Sequence, residues 1–541
     1  MQKPINLLKD YTINEKFYQL KLPMDLGYII PENDSVRLLG QFVEGMDLSD
    51  IYSTYSRIRD NQASPRQMLK VLLFAYHEGI YSSRKIEKAC RKNIDFMYLL
   101  EGKPAPDHTT IARFRTEHFA PFAESIMAQV TDLLKEMNEI RGKEIFIDGT
   151  KIEAYANRYT FVWKNAVTKN QAKKLNDLAA LTEICVNEYE LKPVSGGKVH
   201  INDLVRILEE LMKKAESENI SFVFGKGKRK TQLQKHVEEL EEGIAKLQEY
   251  EKHIEICGNR NSYSKTDHDA TFMRMKEDHM QNGQLKPAYN VQFGVDSGYI
   301  TWIDVNSHPN DVHTLIGFMN SMHSNISFRY HTVVADAGYE SEENYTYLEK
   351  EQIEAMIKPA NYESSKKRKH KNDIGAKENM RYNPDGDYYI CKNGKRLYAS
   401  GYYNSKLKSG YVRKVTVYQC YECLGCPHKG KCIKGSNWKI PEELRQKSLH
   451  ISKKFERQRK RTLESITSRR GIQLRINRSI YSEGVFAELK EDRGFRRFLC
   501  RGRENVYAEC VLMAISQNIA VLHRKIQNNR LQTHLYEVKA A

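Results

Sequence analysis

The sequence predicts an α/β protein, with a mixed sheet faced by helices, a long helical insertion and a helical N-terminal segment. Three observations predict it. Short apolar runs that end in an acid, EIFID before Gly149 and HTVVAD before Ala337, read as buried strands. PAYNVQFGVD and YITWIDV meet at an Asp-Ser-Gly turn, a hairpin signal. The order along the chain is strand, long helical insert, strand, strand, helix, strand, helix, strand, and such alternation indicates a mixed sheet. With 541 residues the chain is long enough for three or four domains of ~100–200 residues each.

Residues 1–140 read as helical. Ser64-Pro65 is a helix start, with serine at the N-cap and proline in the first turn, and Gly79 can end the apolar run from Met68 to Tyr76. A second helix spans about Ser83 to Lys92, and a third begins after Asp107. Arg84, Lys85, Lys88, Arg91, Arg113 and Arg115 lie on these helices. They suit a helix-turn-helix DNA-binding domain, or an ordinary bundle with a solvated basic face. Residues 141–162 hold the first core strand, and 163–260 return to helix. Leu233, Val237, Leu240, Ile244 and Leu247 form an a/d seam barely two heptads long, as a helical hairpin packed on itself would show. The loop before it, from Lys226 to Lys230, is basic. Residues 261–360 carry the hairpin, a helix from about Asp311 to Met322, the helix SEENYTYLEKE and the strand EAMIKP. Residues 361–450 begin with a basic stretch expected to be a loop, then a module rich in Tyr and Cys. Residues 451–541 are helical and strongly basic.

The net charge is +17. Residues 361–541 carry 40 basic against 17 acidic residues, while 1–360 carry 46 against 52. A basic module at one end points to nucleic acid or an anionic membrane, or to a merely soluble basic surface. Mean hydropathy is −0.66, and no run approaches the ~18 consecutive apolar residues of a membrane span. The opening MQKPINLLKDY lacks the apolar core of a signal peptide, so a cytoplasmic chain is expected, with no membrane partner.

Asp148 and Asp336 both follow apolar runs, and in open α/β sheets sites gather at the carboxyl ends of strands. If the two strands are neighbours, two carboxylates converge and must share a proton or a cation. Oxygen ligands suit Mg²⁺. A third ligand is sought in RSIYSEGVFAELKEDRGFRRF, where Glu483, Ala487 and Lys490 share one helical face and Ile480, Phe486 and Leu489 form an apolar stripe. Lys151, Arg478, Lys490, Arg493, Arg496 and Arg497 are candidate phosphate ligands. Asp269, Asp304 and Asp311 are further acids in the core region. Singly, each of these readings has an ordinary counterpart in a turn residue or a solvated helix face.

Of ten cysteines, four crowd together in YQCYECLGCPHKGKC. Cys420, Cys423, Cys426 and Cys432 suit a closed, structural tetrahedral Zn²⁺ site, with Cys391 and His428 as substitute ligands. An Fe–S cluster or reduced thiols are the alternatives. Tyr402, Tyr403, Tyr411 and Trp438 flank the cluster and suit a DNA grip.

The stretches IDGTKIEA around Asp148, ADAGYES around Asp336, and Arg478 through EGVFAELKEDRGFRRF to RGRENV resemble the insertion-sequence DDE transposases. SPRQMLKVLLFAYHEG, DHTTIARFR and the Cys-rich segment extend the resemblance over most of the chain. It implies an RNase H-like core and an enzyme that cleaves DNA at transposon ends and joins the freed 3′-hydroxyl to target DNA. Two Mg²⁺ or Mn²⁺ ions would be held by Asp148, Asp336 and Glu483. It also implies double-stranded DNA as partner, a homodimer or larger synaptic assembly, and a nucleoid-associated protein. Lys490 keeps the family's spacing to Glu483, but Arg478 stands five residues before it where many relatives have four. Ile476 occupies the common tyrosine position, with Tyr481 nearby. The alternatives are a non-catalytic DNA-binding derivative and a nuclease that hydrolyses without joining.

Overall fold

The computed structural model describes residues 26–57, 61–194, 199–225, 227–275, 283–434 and 440–537. Helices open the chain. α1 (Ser35–Glu44), α2 (Pro65–His77), α3 (Ser83–Lys92), α4 (His108–Arg113) and α5 (Ala123–Glu136) share one apolar core with the sheet that follows. The expected start of α2 is observed: the Ser64 hydroxyl accepts from Gln67 N–H and the Gln67 side chain reaches back to the Ser64 amide. Gly79, at φ +68°, takes the left-handed turn that lets the chain leave α2. Asp107 caps α4 through Thr110 N–H at 2.6 Å. Arg115 departs from the expected basic face. It is buried, donates to Tyr76 and Ser83, and pairs with Glu509 at 3.5 Å.

The main sheet has six strands: β1 (Glu144–Glu153), β2 (Thr271–Arg274), β3 (Leu285–Asp296), β4 (Tyr299–Asn306), β5 (Thr332–Ala335) and β6 (Glu354–Ile357). Strand β3 lies antiparallel to β1 on one edge and to β2 and β4 on the other. β5 lies parallel to β1, and β6 parallel to β5. The order β4-β3-β1-β5-β6 is a mixed α/β sheet that fits an RNase H-like core. Ser297 (φ +55°) and Gly298 (φ +88°) form the tight turn between β3 and β4, as the Asp-Ser-Gly signal requires. Thr301 is bulged out of that ladder. The backbone of Ile300, which stays in register with Val295, is met by Asn518, whose carboxamide accepts from Ile300 N–H (2.8 Å) and donates to its carbonyl (2.7 Å).

Between β1 and β2 lie α6 (Lys164–Tyr189), α7 (Ile201–Ser217) and α8 (Gln232–Cys257). They have a core of their own, in which Leu233, Val237, Leu240, Ile244 and Leu247 are all buried. The a/d seam therefore closes a three-helix unit rather than a hairpin. Of the basic loop before α8, Lys226 lies outside the described residues.

α9 (Leu315–Asn325) and α10 (Glu342–Lys350) alternate with β5 and β6. Residues 361–380, expected to be a loop, contain the short helices Tyr362–Lys366 and Arg368–Lys371. A second sheet of five antiparallel strands then forms from β7 (Arg381–Asn383), β8 (Tyr388–Ile390), β9 (Arg396–Lys406), β10 (Val412–Gln419) and β11 (Ser448–Ile451). α11 (Lys453–Thr467), α12 (Arg469–Arg478) and α13 (Arg503–Gln527) follow the second sheet. By length and composition α13 is apolar enough to cross a membrane, but 83% of its apolar window is buried against α1, α2, α5 and β4. It is the central helix of the core.

Candidate active site

The parallel register of β1 and β5 builds the site. Ile147 pairs with Ala335, so Asp148 and Asp336 come next on adjacent strands, where the β1–β5 ladder ends. The expectation that β1 itself ends at Asp148 is corrected. β1 runs on to Glu153, because its antiparallel partner β3 continues, with Asp148 opposite Phe293. Asp148 therefore sits on a strand held along its full length, while Asp336 begins the turn after β5. Asp336 accepts from Gly338 N–H at 2.7 Å and opens the single turn Ala337–Tyr339.

Asp148 is mostly buried. One oxygen accepts from Gly149 N–H at 2.9 Å, and the other pairs with Arg478 Nη2 at 2.7 Å. Burial pushes its carboxyl up to about 6, with Asp336 and Asp311 adding to the rise and Arg478 opposing it. A carboxylate so placed gains from a cation. Among the described residues, no three His, Cys, Asp or Glu side chains are arranged to hold a metal ion as they stand. The oxygen-rich pair nevertheless matches the donor chemistry of Mg²⁺.

Glu483 does not join Asp148 and Asp336 in this conformation. It is exposed on the helical run that continues α12. Residues Ser479–Glu483 and Glu488–Asp492 are π-helical, on either side of the α-turn Gly484–Ala487. A π-turn bonds residue i to i+5, so residues five apart stack much as residues four apart do in an α-helix. The extra residue between Arg478 and Glu483 is absorbed in this way. The turn also changes the buried stripe. Tyr481, Val485 and Leu489 face inward, whereas Ile480, expected there, is 41% exposed. Tyr481 packs on Phe146 of β1 and donates to His534 carbonyl at 2.7 Å, and Phe486 packs on Phe293 of β3. These contacts seat the Arg478–Glu483 segment on the strands that carry the site.

Two arginines tie the surroundings together. Arg459 of α11 grips Glu340 with two bonds of 2.7 and 2.8 Å, just beyond the Asp336 turn. Arg470 of α12 binds Glu354, Glu144 and Thr332 at the starts of β6, β1 and β5.

The expected phosphate ligands divide. Lys151 is on β1 and reaches Arg274 carbonyl at 3.4 Å, and Lys490 is half-buried in the second π-turn. Arg496 is exposed and paired with Glu491, and Arg497 lies over the ring of Tyr155. Arg493 is corrected to a structural residue. Its side chain is 8% exposed, bonded to Ser516 and paired with Glu488 against α13. Asp311, only one of several acids noted in the sequence, is brought against the site. Asp304 instead pairs with Arg503, and Asp269 caps Arg503 N–H.

Cys391, Cys420, Cys423, Cys426 and Cys432 line one small cavity in the second sheet, with His428, Lys395 and Lys447. Cys391 enters because the β8–β9 turn folds over the cluster, its amide bonded to Lys395 carbonyl. Tyr402 and Tyr403 are exposed, Tyr411 bonds Glu342 of α10, and Trp438 lies outside the described residues.

Residues 390–523 match the family model described as transposase DDE domain. That stretch of the chain is similar to a transposase DDE domain. Residues 24–117, the region of α1 to α4, match a second model, transposase domain DUF772. Together the matches support an insertion-sequence DDE transposase. The first transposase match contains Arg478, Glu483 and Lys490 but neither Asp148 nor Asp336. No curated protein and no solved structure matches the chain.

Proposed function

We propose that the protein is a DNA transposase that cleaves at its element's ends and transfers the freed strand into target DNA. Asp148, Asp336 and Glu483 are its metal-binding carboxylates. The observation that carries this is the β1–β5 register, which sets two acids side by side on a sheet of RNase H-like order. Two Mg²⁺ or Mn²⁺ ions, when bound, would activate the attacking oxygen and offset the charge that develops on the phosphate. Arg478 holds Asp148 in place before metal arrives, and the Arg478–Glu483 segment brings the third carboxylate when DNA docks. Lys151, Lys490, Arg496 and Arg497 hold phosphates, and the exposed Arg84, Lys85, Lys88 and Arg91 of α3 read an element end. The same site serves hydrolysis and joining, since only the nucleophile changes. Two ends must be held at once, so the working form is a dimer or larger assembly on DNA, in the cytoplasm and at the nucleoid.

The thiol cavity holds a structural Zn²⁺, with four of its five cysteines as ligands. Its exposed Tyr402 and Tyr403 lie against DNA.

Purified protein, Mg²⁺ and labelled element ends test the reading. The expected result is nicked ends and strand-transfer products, both lost with Asp148→Ala. Cleavage that survives Asp148→Ala removes the site assignment, and cleavage without joining leaves only a nuclease.

A further inference from the structure

Asp311 begins the single 3-10 turn between β4 and α9, yet its side chain does not cap that helix. It turns toward the sheet. Asn290 Nδ2 (2.7 Å) and Gln292 Nε2 (3.1 Å) both donate to its Oδ1. These carboxamides stand on β3, the strand beside β1, and are 1% and 0% exposed. Burying two amides in a central strand is costly unless each finds partners. Gln292 is further fixed by Tyr339, whose hydroxyl donates to Oε1, so its NH₂ group has to face Asp311. Tyr339 ends the turn that Asp336 opens.

Two glycines make the room. A Cβ on Gly149, next to Asp148, would lie 2.7 Å from Asp311 Oδ1 and 2.5 Å from Gln292 Nε2. A Cβ on Gly338 would lie 3.0 Å from Asp336 Oδ1 and 3.2 Å from Asp311 Oδ2. Asp311 is thus wedged between Gly149 and Gly338, and a side chain at Gly149 would displace it. Among the described residues its bonds come from the neutral amides of Asn290 and Gln292, which hold a carboxylate without cancelling its charge.

We propose that Asp311 is a positioning residue of the cleavage site. It is a fixed negative charge, held by Asn290 and Gln292, that tightens the grip of Asp148 and Asp336 on divalent cations. The proposal rests on the metal-dependent reading above. A strut and a field source differ in one respect. A strut stabilises the metal-free protein, whereas a like charge beside two carboxylates destabilises it and repays that only when a cation binds.

The test is Asp311→Asn in the full chain. Mn²⁺ affinity is measured by electron paramagnetic resonance and melting is followed in EDTA, beside wild type and Asp148→Ala. Asp311→Asn is expected to weaken Mn²⁺ binding about tenfold, as loss of groups behind metal ligands commonly does, and to melt in EDTA at or above wild type. Mn²⁺ affinity within twofold of wild type overturns the proposal, as does a variant too unstable to purify, since either makes Asp311 a strut. If Asp148→Ala itself leaves Mn²⁺ binding and cleavage intact, the metal reading has failed. If only Asp311→Asn leaves them intact, the failure belongs to Asp311 alone.

Discussion

At Asp148, burial decides the behaviour. Its carboxyl is raised to about 6, above the ~3.9 of an unfolded chain. Between those values the folded protein holds a proton that the unfolded chain has lost. The stability Asp148 contributes is therefore complete below the unfolded value and is lost as pH rises through about 6. The total is about 3 kcal/mol. In EDTA, Asp148→Asn should remove this part of the fall in melting temperature between pH 4 and 7, while abolishing cleavage. A wild-type and variant difference that stays flat with pH would contradict this. Mg²⁺ should act oppositely, raising the wild-type melting temperature at pH 7 and leaving the variant nearly unchanged. Asp148 and Asp336 were legible in the sequence because an acid after an apolar run survives as a local pattern. Asp311 was legible only as one acid among several. Its partners Asn290, Gln292 and Tyr339 come from β3 and the Asp336 turn, and no local pattern links them.

Among the elements, the helical run from Arg469 to Asp492 repays most attention. Its sequence shows the spacing of Arg478, Glu483 and Lys490, but not the π-turns that accommodate it, because a π-turn follows from packing against β1 and β3. For the same reason Tyr481 rather than Ile480 faces inward, while Leu489 of the expected stripe is buried and Phe486 packs on Phe293. The junction with α11 is equally constrained. A Cβ on Gly471 would collide with the backbone of Ser465 and Ile466. Gly471→Ala should destabilise the protein by about 1–3 kcal/mol, read in urea melts. It should lower DNA cleavage at 37 °C more than at 20 °C, since this junction sets the position of α12, which carries both Arg470 and Arg478. In the second sheet, Cys423→Ser should lower the zinc content measured by mass spectrometry and expose β10 to protease. Zinc content unchanged by this variant would remove Cys423 from the ligand set.

Across the whole molecule, the N-terminal helices and the sheet form one core, and Arg115 with Glu509 is its most deeply buried ion pair. Glu509 is fully buried and also accepts from Leu499 N–H. Breaking such a pair leaves one charge without compensation, so Arg115→Ala should cost about 3–5 kcal/mol, whereas replacing both residues with apolar ones should cost much less. Differential melting of the single and double variants reads this directly. The basic face expected for Arg115 was wrong because its partner lies nearly four hundred residues away in the chain. The cap at Asp107 marks a helix there, and only the fold could show which side of it faces α13.

The position of α13 has a consequence for how the protein is made. Residues 503–527 are synthesised long after α1, α2, α5 and β4, yet they fill the space between them. Until that stretch leaves the ribosome, the apolar faces of the earlier elements have no cover, and the backbone of Ile300 lacks Asn518. A message broken before codon 503 would yield chains that hold both aspartates and Glu483 but no closed core. Such chains should be cleared by proteases rather than persist as partial nucleases. Pulse-labelled truncations, compared with the full chain for half-life, would show it.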